Sequence, residues 1–179
     1  MLVILKKLGL ICMVISMHKR NDNIVKDVTL FPDQDMIHLD IAQAKIQLKL
    51  DFLDIYEQVQ VEPEDMWKTT FVTVQGVYKS LVMQQGGCNA LSTFQWLMNH
   101  IFQEYISIFM HAYLNDIFVF SNSIEKHQRH LKLVFDKICE HELYLKEEMC
   151  EFYAKRVECL SHIIDEKGLH VDSNKMARI

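Results

Sequence analysis

Apolar and polar residues follow one another along this chain in a way that predicts a mixed succession of strands and helices. Strand-type runs cover residues 8–17, 46–51, 69–74, 77–82, 108–114, 117–120, 157–164 and 169–171. Helical spacing of apolar residues covers 34–44, 91–106 and 123–141. Turn-forming pairs at Gln75-Gly76, Asn115-Asp116 and Lys167-Gly168 separate neighbouring strands. This order predicts an α+β fold whose antiparallel sheet is covered by two helices on one face.

The composition is that of a globular chain with one hydrophobic core. Half of the 179 residues are hydrophobic, and only five are glycine and two proline, which favours one compact domain with at most an appended subdomain. The five cysteines are irregularly spaced, so we expect no disulfide framework and an intracellular protein, cytoplasmic or nuclear and not secreted. Residues 1–15 are apolar but interrupted by Lys6 and Lys7, so we expect a buried strand there and no membrane segment.

Two aspartates carry the candidate chemistry. Asp51 ends a predicted strand, and Asp116 lies at the predicted tip of a later hairpin. Two carboxylates that meet across a sheet can hold a divalent metal ion, because magnesium prefers hard oxygen ligands. Aspartates at strand ends and turns are also commonly solvated or locally hydrogen-bonded, so both interpretations stay open on spacing alone. Cys159 and His162, with His170 nearby, form a weaker metal-like pattern, for which we expect structural or incidental roles.

Whole segments of the chain resemble the reverse transcriptases of LTR retrotransposons of the gypsy type. Residues 49–56 are similar to the first catalytic motif of that family, in which an aromatic residue follows the aspartate by five positions. Residues 68–71 look like its K-T-A-F strand, and residues 82–95 like its M-P-F-G-L-x-N-A-P-x-x-F-Q segment. Residues 113–116 stand where the family has Y-L-D-D, and residues 159–162 where it has F-L-G-H. The five matches occur in the family's order and spacing.

The resemblance implies a right-hand polymerase palm with partial fingers and without a thumb. Residues 1–48 would form a degenerate N-terminal part of the fingers. Residues 49–179 would form the palm, with an inserted fingers hairpin at about 66–84 and a primer-grip hairpin at about 157–172. The implied catalytic positions are Asp51, Asn115 and Asp116; the implied nucleotide-binding positions are Phe52, Asp54, Ile55, Tyr56, Gln85 and Gly86; the implied primer grip is Leu160 and Ser161.

The resemblance also implies a cofactor and partners. Asp51 and Asp116 would hold two Mg²⁺ ions, and the partners would be an RNA or DNA template–primer, a deoxynucleoside triphosphate, and the thumb and ribonuclease H regions of a polyprotein. The net charge of −5 argues against strong unaided binding to nucleic acid, because phosphate contacts need clustered basic residues.

One departure from the family pattern governs the functional expectation. Asn115 stands where the family has the first aspartate of its pair, and an amide offers an oxygen but no charge to a metal ion. We therefore expect a magnesium-dependent RNA-directed DNA polymerase domain that is inactive as written. The alternatives are a catalytically silent module that binds nucleic acid or a protein partner, and a non-functional relic. An unrelated two-metal phosphotransferase or nuclease would need further acidic residues at strand ends, which the sequence does not offer.

Overall fold

A computed structural model gives the structure of residues 2–5, 11–154, 156–160, 162–165 and 168–171. The chain forms two compact units, which comprise Met1–Thr29 with Asp54–Phe94, and Leu30–Leu53 with Gln95–Ile179. The predicted division into fingers (1–48) and palm (49–179) follows other boundaries. It stays a prediction, because compactness does not test those functional assignments.

The elements occur in an order close to the predicted one. The strands are β1 (Leu2–Leu5), β2 (Ile11–Val14), β3 (Ile46–Asp51), β4 (Phe71–Thr73), β5 (Gly76–Tyr78), β6 (Met110–Tyr113), β7 (Asp116–Ser121), β8 (Glu151–Ala154), β9 (Arg156–Cys159), β10 (His162–Asp165) and β11 (Gly168–Val171). The helices are α1 (His18–Asn21), α2 (Gln34–Gln43), α3 (Ala90–Ile101) and α4 (Ile124–Glu140), with short 3-10 turns at Pro63–Thr69 and Glu147–Met149. Among the described residues, no helix has the length and apolar character needed to cross a bilayer.

The first unit contains two antiparallel pairs of strands, β1 with β2 and β4 with β5. The strand predicted at 8–17 is shorter, since β2 ends at Val14 and residues 6–10 lie outside the described residues. The predicted hairpin is confirmed, but its turn lies one residue earlier than predicted. Thr73 pairs with Gly76, so Val74 and Gln75 form the turn.

The second unit is built on a four-stranded sheet in the order β6-β7-β3-β8. Antiparallel pairing of β3 with β7 places Asp51 opposite Asp116, at the end where β6 and β7 are joined by a two-residue turn. The turn is Leu114 and Asn115, one residue earlier than the predicted Asn115-Asp116, so Asp116 begins β7 and does not lie at the tip of the hairpin. A second sheet has the order β11-β10-β9. The run predicted at 157–164 is therefore two strands, which turn around Leu160 with a φ of +47°.

Helices lie on both faces of the four-stranded sheet, whereas the sequence predicted two helices on one face. Ser121 of β7 is hydrogen-bonded to His127 and His130 of α4, so α4 covers the face that carries Ile117 and Val119. The opposite face carries Phe118, which shares a buried cluster with Ile37 and Ile41 of α2 and with Val157, Cys159 and Ile164 of the second sheet. Both faces are thus buried, which explains why Ile117, Phe118 and Val119 are consecutive apolar residues.

The starts of α2 and α4 follow the sequence closely, because a capping side chain marks both of them. Asp33 accepts a hydrogen bond from the backbone amide of Asp35 at the start of α2, and Ser123 accepts one from Lys126 at the start of α4. The predicted helix 91–106 instead ends at Ile101. Beyond it the chain turns, and Tyr105 stacks on Phe109 with ring centroids 5.1 Å apart.

Two histidines of α4 share one hydroxyl group. Ser121 Oγ lies 3.0 Å from His127 Nδ1 and 2.9 Å from His130 Nδ1. Burial lowers the pKa of both imidazoles, and the nearby His130 adds to the lowering at His127. The folded chain therefore takes up protons at these two sites less readily than the unfolded chain does.

We expect this arrangement to make the chain less stable in mild acid. Stability from the two histidines is complete above the ordinary imidazole pKa of 6.5 and is lost as the pH falls below it, by at most about 1.4 kcal/mol per pH unit for each histidine. Urea unfolding at pH 7.5 and pH 5.5, followed by circular dichroism, measures the loss. His127→Gln should reduce the pH dependence, whereas the same change at the exposed His141 should leave it unaltered. An equal pH dependence in all three proteins would contradict the assignment.

Candidate active site

The two predicted aspartates are brought together by the pairing of β3 with β7. Asp51 is the last residue of β3 and Asp116 the first of β7, and they are direct cross-strand partners. Cβ atoms of such partners lie roughly 4.5–5.5 Å apart. The backbone of Asp51 is fixed by a hydrogen bond from the amide of Lys146 to its carbonyl, at 2.8 Å. The prediction that a strand end and a later hairpin share one acidic site is confirmed.

Asn115 belongs to the same cluster and acts there as a donor. Its Nδ2 lies 3.0 Å from Asp51 Oδ2, and its backbone carbonyl accepts a 2.9 Å hydrogen bond from the amide of Phe52. The amide group thus presents N–H to Asp51, where an aspartate would present a second negative charge. Phe52 is one of the residues predicted to bind nucleotide. It is buried and belongs to the hydrophobic core.

Asp116 is paired with Lys49, the first residue of the 49–56 segment, for which the sequence predicted no role. Lys49 Nζ lies 3.2 Å from Asp116 Oδ1, and the two side chains are only 15% and 17% exposed. Burial raises the pKa of Asp116, Lys49 opposes the rise, and the charge and hydrogen bonding of Asp51 add to it. Lys49 and Asp51 alternate with Leu50 along β3, so both charged side chains lie on the same face of the sheet.

These residues do not fit a centre of two magnesium ions. Two metal ions need several negative ligands, whereas the cluster offers two carboxylates, one of them in an ion pair with Lys49 and the other bonded to an amide N–H. Among the described residues, no group of three or more histidine, cysteine, aspartate or glutamate side chains could hold a metal ion.

A buried glutamine positions the turn that carries Asn115. Gln95 of α3 is fully buried, and its Oε1 accepts a 2.8 Å hydrogen bond from the amide of Leu114. Its Nε2 donates to the carbonyl of Ala112 at 3.0 Å and to Oδ1 of Asn99 at 2.9 Å. Leu114 has a φ of +52°, a conformation that costs a side-chain-bearing residue free energy and needs support from its surroundings. The sequence showed Gln95 only as a motif residue, without this role.

Comparison with known proteins identifies the family. Residues 3–164 match the model of the family described as "Reverse transcriptase (RNA-dependent DNA polymerase)". The chain belongs to the reverse transcriptase family. It is 31% identical over 166 residues to the retrovirus-related Pol polyprotein from transposon 297 of Drosophila melanogaster, and 28% identical over 167 residues to that from transposon gypsy. Each match covers 93% of this chain and 16% of the polyprotein. This reverse transcriptase chain thus spans less than a fifth of the curated relatives.

Solved reverse transcriptases share the fold. Foamy viral protease-reverse transcriptase in complex with double-stranded DNA superimposes with a TM-score of 0.89 at 17% identity, covering 99% of this chain and 31% of the other. The same viral protein in complex with an RNA/DNA hybrid gives a TM-score of 0.85 at 14% identity, covering 98% and 24%. The predicted α+β polymerase palm is confirmed by this likeness.

The remaining positions predicted to bind nucleotide lie in the first unit of this reverse transcriptase chain. Asp54 has a φ of +40°, Ile55 is buried, and Tyr56 is half-buried, with a pKa that burial and Glu57 raise. Gln85 and Gly86 are exposed in a loop. These placements leave the predicted roles of the five positions as predictions.

The Gly86 loop is fastened within the first unit by one asparagine. Asn21 Nδ2 donates to the carbonyl of Gly86 at 3.0 Å, and Asn21 Oδ1 accepts from the amide of Cys88 at 3.1 Å. Gly86 has a φ of +92°, which glycine adopts without the penalty that a side chain would bring. The glycine of the Q-G pair is therefore required by the backbone, whatever the loop binds.

The predicted primer grip is only partly described. Leu160 forms the turn between β9 and β10 and packs against the cluster that contains Phe118, whereas Ser161 lies outside the described residues. Cys159 is fully buried in that cluster, and burial, reinforced by the charge of Asp116, raises the pKa of its thiol to about 12. Its position in the buried cluster accounts for Cys159.

Proposed function

We propose that this chain is the part of a retrotransposon reverse transcriptase that binds nucleic acid and has the fold of the catalytic domain. We also propose that it does not polymerise nucleotides as written. The chemistry of its class is RNA-directed DNA synthesis. Reverse transcriptases generally use divalent metal ions. The observation that carries the proposal is the cluster of Asp51, Asn115 and Asp116. These residues match the catalytic positions of the family pattern, but the cluster has one carboxylate fewer than that pattern.

The loss of one carboxylate acts on the chemical step more than on binding. A ligand that carries charge stabilises the transition state of nucleotidyl transfer, and its removal costs several kcal/mol, or about a thousandfold or more in rate. Contacts to a template–primer are made mostly to phosphates over a wide surface. We therefore propose that the chain binds an RNA/DNA hybrid although it does not incorporate nucleotides.

The distribution of charge sets the conditions under which such binding can be observed. The first unit has seven basic and seven acidic residues, so the net charge of −5 belongs entirely to the second unit, with twelve basic and seventeen acidic residues. Neither unit is basic, so the affinity for nucleic acid is expected to be modest and to fall as salt rises. The solved foamy viral enzyme in complex with an RNA/DNA hybrid supports that ligand as the probe.

The test measures binding and incorporation separately on the same chain. Fluorescence anisotropy with a labelled RNA/DNA hybrid at low salt should show binding that weakens as salt is raised, and primer extension with Mg²⁺ should give no product. For primer extension the chain replaces the matching segment of the transposon 297 polyprotein, and the unaltered polyprotein serves as the positive control. Incorporation by the unaltered chain would contradict the proposed inactivity. No binding at the lowest salt concentration would contradict the nucleic-acid part and leave a non-functional relic.

A further inference from the structure

Lys49 is held inside the acidic cluster by two contacts. Its Nζ lies 3.2 Å from Asp116 Oδ1 and 5.8 Å from the centre of the Phe118 ring. Its side chain is 15% exposed, so its attraction to the carboxylate is screened much less than that of a surface pair. The ammonium group is thus a cation placed directly on one of the two carboxylates to which a metal ion would bind.

The charges of the cluster are almost balanced without any metal ion. Lys49 contributes one positive charge, Asp51 and Asp116 one negative charge each, and Asn115 none, so the cluster carries a single net negative charge. A divalent cation that binds both carboxylates has to displace Lys49 from Asp116. It also has to break the 3.0 Å hydrogen bond from Asn115 to Asp51.

We propose that Lys49 is the resident cation of this site and that it competes with divalent metal ions for Asp116. The inference deepens the proposed function and rests on it in one respect, namely that this cluster occupies the place of the polymerase centre. Lys49 neutralises Asp116 in the folded chain, so the fold does not require a metal ion to bring the two carboxylates together. It also makes the site selective against metal ions, because a divalent ion gains the carboxylate only after the ion pair has been broken.

The proposal predicts a graded series of metal affinities. Lys49→Met removes one positive charge from the cluster and Asn115→Asp adds one negative charge, so each makes its net charge more negative by one and the double variant by two. Titration of each full chain with Mn²⁺, followed by electron paramagnetic resonance and without nucleic acid, should show the weakest binding for the unaltered protein. Each single variant should bind at least about tenfold more tightly, and the double variant more tightly again. Lys137→Met, which removes a partly exposed lysine from an ion pair with Glu140 outside the cluster, should leave the affinity unchanged.

The decisive comparison is Lys49→Met against the unaltered chain. If the folded variant, or the more polar Lys49→Gln, binds Mn²⁺ no more tightly than the unaltered chain, the proposal is overturned. If both variants are unfolded alone but fold when Mn²⁺ is added, a metal ion has taken the place of Lys49 and the proposal is supported. If both stay unfolded with and without Mn²⁺, the proposal is also overturned, because it requires that a divalent ion can replace the ammonium group.

This experiment is separate from the test of the proposed function. The Mn²⁺ titration needs no template, primer or nucleotide. Its result can therefore be interpreted even if the chain fails to bind nucleic acid or unexpectedly incorporates nucleotides. Conversely, a flat Mn²⁺ series does not alter the expectations for binding of the RNA/DNA hybrid.

Discussion

Replacing Asn115 by aspartate is expected to raise nucleotide incorporation about a thousandfold or more. The change puts a carboxylate beside Asp51 and Asp116, where Asn115 now donates its N–H to Asp51. Under the proposed two-ion chemistry, Asn115→Asp supplies a third negative ligand. The measurement is single-nucleotide incorporation on an RNA template with Mg²⁺, with the chain substituted for the matching segment of the transposon 297 polyprotein.

The control for this gain is a chemically identical change elsewhere. Asn122→Asp adds the same charge at an exposed position that directly follows β7, and it should leave incorporation at the level of the unaltered chimera. Asn115→Gln keeps an amide at the turn and should likewise give no gain. An Asn115→Asp chimera that still binds template–primer but incorporates no faster would show that this residue is not what silences the chain.

The same substitution is expected to destabilise the chain when metal ions are removed. A carboxylate at position 115 loses the hydrogen bond to Asp51 and adds repulsion to a pair in which the pKa of Asp116 is already raised by burial. The substitution that is expected to raise nucleotide incorporation is therefore also expected to lower the stability of the metal-free chain. This opposition between activity and stability is common where like charges are gathered at an active site.

Single elements around the acidic cluster could be predicted from local signals. The strand predicted at 46–51 was confirmed, and the helices predicted at 34–44 and 123–141 were confirmed to within one residue at each end. Each depends on local signals, namely alternation of apolar residues or a capping side chain. The pairing of Asp51 with Asp116 followed from the family resemblance, which supplied the long-range contact that local patterns do not encode.

Other boundaries could not be predicted because tertiary contacts decide them. Periodicity extended α3 to residue 106, but the helix ends at Ile101 and Tyr105 stacks on Phe109 instead. Nothing in the sequence marks Leu114 or Leu160 as turn residues, since leucine rarely adopts the positive φ that both have. The roles of Lys49 and Gln95 were missed for the same reason, because a motif shows which residues recur but not which atoms they touch.

Loss of the Gln95 side chain is expected to destabilise the chain by about 3 kcal/mol. Gln95→Leu keeps a buried side chain of similar size but removes the acceptor for the amide of Leu114 and the donors to Ala112 and Asn99. A buried backbone group that loses its partner costs about 1–3 kcal/mol. Urea unfolding measures the overall effect, and the same change at the exposed Gln103 should shift the midpoint only slightly.

A second measurement separates positioning of the turn from general loss of stability. Leu114 keeps its φ of +52° only while its surroundings favour that conformation over a relaxed one. We therefore expect the amide hydrogen of Leu114 to exchange faster in Gln95→Leu by a larger factor than amides in the centre of β7, such as Phe118. If all amides of the sheet accelerate equally, Gln95 stabilises the second unit as a whole. A selective loss at Leu114 would show that a buried glutamine on α3 sets the geometry of the turn on which Asn115 lies.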